Sequence, residues 1–147
     1  YTLARTVLFE EYSVGDCPPD LDGESIGEAL LRVHRSYLRP IQALLEANLA
    51  KGLAHITGGG LPGNLRRVVP EDCEAAIDYD AWERPPIFSL IQSEGNVPEA
   101  DMRRTFNLGI GLVAIVRKAD VPRGIERLEA LGETPIRIGR VETSAGT

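Results

Sequence analysis

Apolar residues recur along this chain at helical and at strand-like spacings, and the alternation predicts an α/β (α+β) fold. Leu3, Ala4, Val7 and Leu8 fall on one helical face, and residues 26–33 return to the same spacing. Residues 36–39 are expected to be extended, because the position before a proline avoids the α region. Pro40 then suits the first turn of a helix to about residue 48, with Ile41, Leu44 and Leu45 on its buried face. Residues 52–56 read as a strand, 61–69 as a short helix closed by Pro70, and 74–78 as a second strand with Trp82 anchoring the turn after it. Pro85-Pro86 opens a helix to about residue 93, and Gly95 suits its end. Asn96-Val97-Pro98-Glu99 has capping-box form and predicts a short helix to Arg104. Leu112 to Val116 is an unbroken apolar run, the pattern of a buried strand. Asp120 and Pro122 start a last helix carrying Ile125, Leu128 and Leu131 on one face and stopped by Gly132. Residues 135–141 alternate as a final strand, which gives helices packed on a mixed sheet of about four strands.

The 147 residues suit a single domain: an N-terminal helix and flexible loop over 1–24, a core over 25–141 and a tail over 142–147 that is expected to be disordered. Residues 11–24, with Gly15, Pro18, Pro19 and Gly23 among acids, read as a mobile loop or a flap over a site. The chain opens in helical spacing without an initiator methionine, so a piece of a longer protein is expected, with part of its site elsewhere. A formal net charge of −6 argues against binding a nucleic-acid backbone. Two distant cysteines, Cys17 and Cys73, form no CxxC pair and read as free thiols of a reducing, cytoplasmic compartment. No zinc-type ligand cluster, signal peptide or membrane-spanning apolar run is visible, so neither a bound metal nor a membrane is expected.

Candidate chemistry concentrates in two stretches. His55-Ile56-Thr57-Gly58-Gly59-Gly60 joins a strand-like approach to three glycines and a helix-compatible stretch. Main-chain N–H groups without neighbouring Cβ atoms let an anion come close, and a histidine and a hydroxyl stand beside them. The spacing matches neither the P-loop nor the dinucleotide fingerprint, and a plain tight turn is the equal alternative. Asn107-Leu108-Gly109-Ile110-Gly111 leads into the apolar strand; its glycines read best as close packing, and Asn107 as either a turn cap or a substrate contact. Asp78, Asp80 and Glu83 are acids that read as solvated rather than as a magnesium site, and nothing suggests a covalent nucleophile.

These stretches resemble a known family. Residues 52–60, then Asn64, Arg67, Val68 and Pro70, are similar to the C-terminal domain of phosphoribosylformylglycinamidine cyclo-ligase, the aminoimidazole ribonucleotide synthetase. The likeness continues through Ile77-Asp78, Trp82, Pro86-Ile87-Phe88, Gly95-Asn96-Val97 and Met102, and then through residues 104–111, Gly132-Glu133 and Ile138-Gly139. The resemblance implies an ATP- and Mg²⁺-dependent ring closure of formylglycinamidine ribonucleotide in de novo purine synthesis, releasing ADP and phosphate. It also implies a homodimer at full length, with ATP and Mg²⁺ bound mainly by an N-terminal half not contained in this chain, and an isolated domain without activity.

Carried over by motif, Thr57, Gly58, Gly59 and Gly60 would contact phosphate, His55 and Asn107 would orient substrate as catalytic residues, and Asn64 and Arg67 would order or supplement the loop. Departures occur at His34 to Pro40, where the family commonly has Thr-Arg-Ile-Tyr-Val-Lys-Pro, and at Gly63, where a glutamate is usual. They leave room for a diverged member of the same ATP-dependent superfamily, of formylglycinamide ribonucleotide amidotransferase, selenophosphate synthetase, thiamine-phosphate kinase or hydrogenase-maturation dehydratase type. A non-catalytic nucleotide-binding module is the reading from another class.

Overall fold

A computed structural model describes residues 2–144. Among them the order is α1 (Thr2–Glu11), α2 (Ile26–Leu31), α3 (Leu38–Glu46), β1 (Ala50–His55), α4 (Gly60–Leu65), β2 (Cys73–Ile77), α5 (Pro86–Glu94), α6 (Glu99–Thr105), β3 (Leu112–Val116), α7 (Val121–Glu129) and β4 (Gly139–Thr143). The α+β class therefore holds. Its four strands form two antiparallel pairs, β1 with β3 and β2 with β4, and not one mixed sheet. The pairs meet through side chains: Ala54, Ile56, Leu61 and Leu65 form a cluster against which Ala75, Ile77, Val113 and Ile138 pack from both ladders.

A second cluster is helical, built from Ala4, Leu8, Leu21, Ile26, Leu90, Ile91, Met102 and Leu108. Tyr79 and Trp82 pack against both clusters and join them. Leu21 belongs to a single 3-10 turn, Pro19–Leu21, so the segment between α1 and α2 contributes to the core. Main-chain bonds from Ile26 N–H to the Asp16 carbonyl (2.9 Å) and from Gly27 N–H to the Val14 carbonyl (2.8 Å) fasten the same segment to α2.

Several elements differ from the sequence expectation for definable reasons. Helix α3 starts at Leu38, before Pro40, because the first turn of a helix has no acceptor for its N–H groups and so tolerates the ring. Its inner face is Pro40, Ala43 and Leu44, while Leu45 is 55% exposed. Strand β3 is half-buried throughout, because a two-stranded ladder covers less of a strand than a full sheet does. Helix α4 is shorter than expected, and α6 has no side-chain cap. Asn96 instead takes φ +44°, and the N–H of Val97 reaches back to the Gln92 carbonyl (3.0 Å), closing α5.

The capping box belongs to α2. There Ser25 Oγ accepts from the Glu28 N–H (3.2 Å) and Glu28 Oε2 accepts from the Ser25 N–H (2.9 Å). Strand β4 begins at Gly139 rather than residue 135 and runs to Thr143, so Glu142 and Thr143 lie in a ladder; residues 145–147 of the expected tail lie outside the described residues. Cys17 and Cys73 are free thiols. No helix among the described residues is long and apolar enough to cross a membrane.

Candidate functional site

The register of the β1–β3 ladder makes the site. His55 pairs with Leu112, and the Ile56 N–H donates to the Gly111 carbonyl (2.9 Å). An antiparallel pair places the end of one strand beside the start of the other. The glycine loop leaves β1 where the Asn107–Gly111 turn enters β3, so two stretches fifty residues apart in the chain share one end of one ladder. Helix packing repeats the juxtaposition, since α4 lies on α6. Gly60, at φ +62°, approaches so closely that a Cβ there would fall on the carbonyl oxygen of Arg103.

Inside the loop Asn64 is the organiser. It is 4% exposed, and its Nδ2 donates to the carbonyls of Gly60 (2.8 Å), Thr57 (3.3 Å) and Gly58 (3.3 Å). Its Oδ1 accepts from Thr57 Oγ1 (3.4 Å) and Arg67 Nη1 (3.5 Å). The two hydrogens of one carboxamide are thus shared among three loop carbonyls, most closely that of Gly60, which turns the N–H side of the loop the other way. The N–H groups of Gly58 and Gly59 have no hydrogen-bond partner among the described residues, and no atom lies within 4 Å of where a Gly58 side chain would begin. Thr57, Gly58 and Gly59 are exposed, as is Arg67.

The second turn is closed by protein. Asn107 Oδ1 accepts from the Gly109 N–H (3.0 Å), an Asx turn, while the Trp82 indole N–H donates to the Leu108 carbonyl (2.8 Å). Leu108 itself takes φ +52° with its side chain buried. A Cβ on Gly109 would press on the Pro85 ring, and one on Gly111 would overlap the Tyr37 hydroxyl. His55 is exposed at the ladder end, with its Nε2 3.0 Å from Nε2 of His34 and the Tyr37 ring beside it.

The sequence reading missed the carboxylate behind this site. Glu99 on α6 accepts from Arg84 Nη2 (2.7 Å), Gln92 Nε2 (3.0 Å) and Arg103 Nε (2.7 Å). Hydrogen bonds from Arg84, then from Arg103 and Gln92, outweigh partial burial and hold its pKa down at about 2. Arg103 in turn stacks on the Tyr79 ring at 3.9 Å, and burial raises the Tyr79 pKa. This network braces the helix whose last carbonyls receive Gly60. Only the Glu99–Arg103 spacing of four residues was visible in the sequence; Arg84 and Gln92 come from other segments. Asp78 and Asp80 form a turn of their own, with Asp78 Oδ1 accepting from the Asp80 N–H (3.0 Å), and no group of three metal-ligating side chains occurs among the described residues.

Donors therefore dominate the loop: N–H groups, a hydroxyl and a guanidinium, with no carboxylate among the expected contacts. Such a set fits a phosphate or carboxylate anion and does not fit Mg²⁺, which takes oxygen ligands.

Comparison with known proteins identifies a family for the chain. Residues 5–147 match the family described as AIR synthase related protein, C-terminal domain. A phosphoribosylformylglycinamidine cyclo-ligase of Sorangium cellulosum (strain So ce56) is 48% identical over 145 residues, covering 96% of this chain and 41% of the relative. Proteins of the same name from Thermoanaerobacter sp. (strain X514) and Cupriavidus pinatubonensis are 43% and 41% identical, each over 99% of this chain. The chain spans about two fifths of the length of these curated relatives, 41 to 44%. With the match running from residue 5 to residue 147, the chain belongs to the AIR synthase related protein, C-terminal domain family.

Proposed function

We propose that this chain is the C-terminal portion of an ATP-dependent cyclo-ligase that closes formylglycinamidine ribonucleotide to aminoimidazole ribonucleotide. The observation that carries the reading is the ladder register that sets an open N–H loop beside His55 and the Asn107 turn. The names of the relatives favour this reaction over the other ATP-dependent members of the superfamily.

In the proposed reaction ATP converts the formyl amide oxygen to a phosphate ester, an internal nitrogen attacks the carbon, and the oxygen departs as phosphate beside ADP. The chain's own part is to bind and to orient. The N–H groups of Gly58 and Gly59, with Thr57 and Arg67 nearby, receive a phosphate of the substrate, and Asn64 keeps the loop in the shape that offers them. His55 and Asn107 stand at the ladder end as polar groups that orient the reacting portion of the ribonucleotide. Mg²⁺ is bound by groups outside this chain. A preceding domain completes the cleft, and the full-length protein acts in the cytoplasm as a homodimer.

Gly58→Val tests the reading in the full-length protein. The position has free space around it, so stability should change by about 0.5 kcal/mol or less. Steady-state kinetics with the ribonucleotide and ATP should show KM for the ribonucleotide raised about tenfold or more. An unchanged KM for both substrates would remove the loop from the binding site.

A further inference from the structure

Both histidines of the chain meet at one point. His34 lies in the irregular stretch between α2 and α3, and His55 ends β1, 21 residues later. Their Nε2 atoms are 3.0 Å apart while the ring centroids are 5.1 Å apart with planes at 67°, so the rings meet through their nitrogens. At that separation one nitrogen donates a hydrogen and the other accepts it. The bond couples the two tautomers: whichever ring carries its hydrogen on Nε2, the other carries its own on Nδ1.

The stretch that carries His34 is fastened on both sides. Arg35 pairs with Glu133 beyond α7. The Tyr37 ring packs against both imidazoles, with centroids 6.0 Å and 6.3 Å away, and its hydroxyl occupies the space left by the missing side chain of Gly111. The His34 ring is thereby held by the same ladder end that carries His55.

We infer that His34 is a positioning residue that holds the His55 ring in one orientation at the mouth of the glycine loop and ties that ring's tautomer to its own, so that His55 presents Nδ1 to a ligand with Nε2 already engaged. The inference deepens the proposed function, because it rests on His55 being a group that the substrate meets. His34 itself needs no contact with the substrate.

Long-range proton–nitrogen spectra of the imidazole nitrogens test it, recorded at about pH 8, where free imidazole is neutral. In the native protein the Nε2 shifts of His34 and His55 should be complementary, one displaced toward the protonated value and the other toward the unprotonated value. In His34→Ala both His55 nitrogens should move toward the shifts of a free, exchanging imidazole, and in His34→Gln, whose carboxamide can also donate or accept, they should return toward the native values. In the full-length protein His34→Ala should lower kcat about tenfold with KM within twofold, and His34→Gln should recover most of the loss. Identical His55 shifts in the native protein and His34→Ala would overturn the inference whatever the kinetics. Altered shifts with unaltered turnover would keep the His34–His55 coupling and overturn the reading of His55 as part of the chemistry.

Discussion

The two glycine-bearing turns at the end of the β1–β3 ladder look alike in sequence and differ in what fills the space of the absent side chains. At Gly109 and Gly111 that space holds Pro85 and Tyr37. At Gly58 it is empty, and at Gly59 the nearest atoms are 3.8 Å away. One turn is therefore packing and the other is an opening. Gly60 belongs, by its contacts, with the packing group even though it closes the open loop. A run of three identical residues thus divides between two jobs.

That division predicts a sharp contrast in stability. Gly60→Ala forces a side chain into αL geometry and onto the Arg103 carbonyl, and should cost about 3 kcal/mol, read as a lowered urea midpoint. A midpoint unchanged by this substitution would dissolve the distinction between the packed and the open glycines. The two asparagines sharpen the comparison at a smaller scale. Asn64→Ala removes a buried hydrogen bond to the Gly60 carbonyl and two weaker ones in the loop and should cost about 2 kcal/mol, whereas Asn107→Ala loses one turn bond and should cost about 0.5 to 1 kcal/mol. Equal losses would mean that Asn64 does not organise the loop.

An effect of similarly small size concerns the brace behind both turns. Glu99 has a pKa of about 2 against the ordinary 4.5 of a free glutamate, so its contribution is complete above pH 4.5 and is lost as the pH falls toward 2. Its side chain is 38% exposed, and with solvent screening the contribution is about 1 kcal/mol. Glu99→Gln should therefore be less stable than the native protein at pH 6 and nearly equal to it at pH 2, by thermal denaturation at each pH. A difference that grows on acidification would contradict the assigned charge network.

How much of this was legible in the sequence follows the range of each interaction. Helix α7 could be read because its signals are local: Pro122 in the first turn, Gly132 at φ +79° past its end, and apolar residues between them. The end of β1 and the glycine loop were legible for the same reason. The capping box was misplaced because Asn96 and Ser25 both satisfy the pattern, and only the backbone decides which one precedes a helix. The division of four strands into two ladders was not readable, since strand pairing joins residues that no local pattern connects. His34, Tyr37 and Arg84 escaped for that reason too. Their partners are 21 residues away for His34 and 15 for the Arg84–Glu99 pair. The Asn64 side chain falls between these cases, because its partners lie within seven residues but become meaningful only once the loop is folded.

Trp82 is the one indole in the chain, and it sits at the joint of the two apolar clusters with its N–H on the turn that carries Asn107. Nature has thereby installed a reporter dye at the seam. Its emission colour follows whether that seam is dry, so fluorescence during refolding times the marriage of the helical and ladder halves rather than the birth of either one.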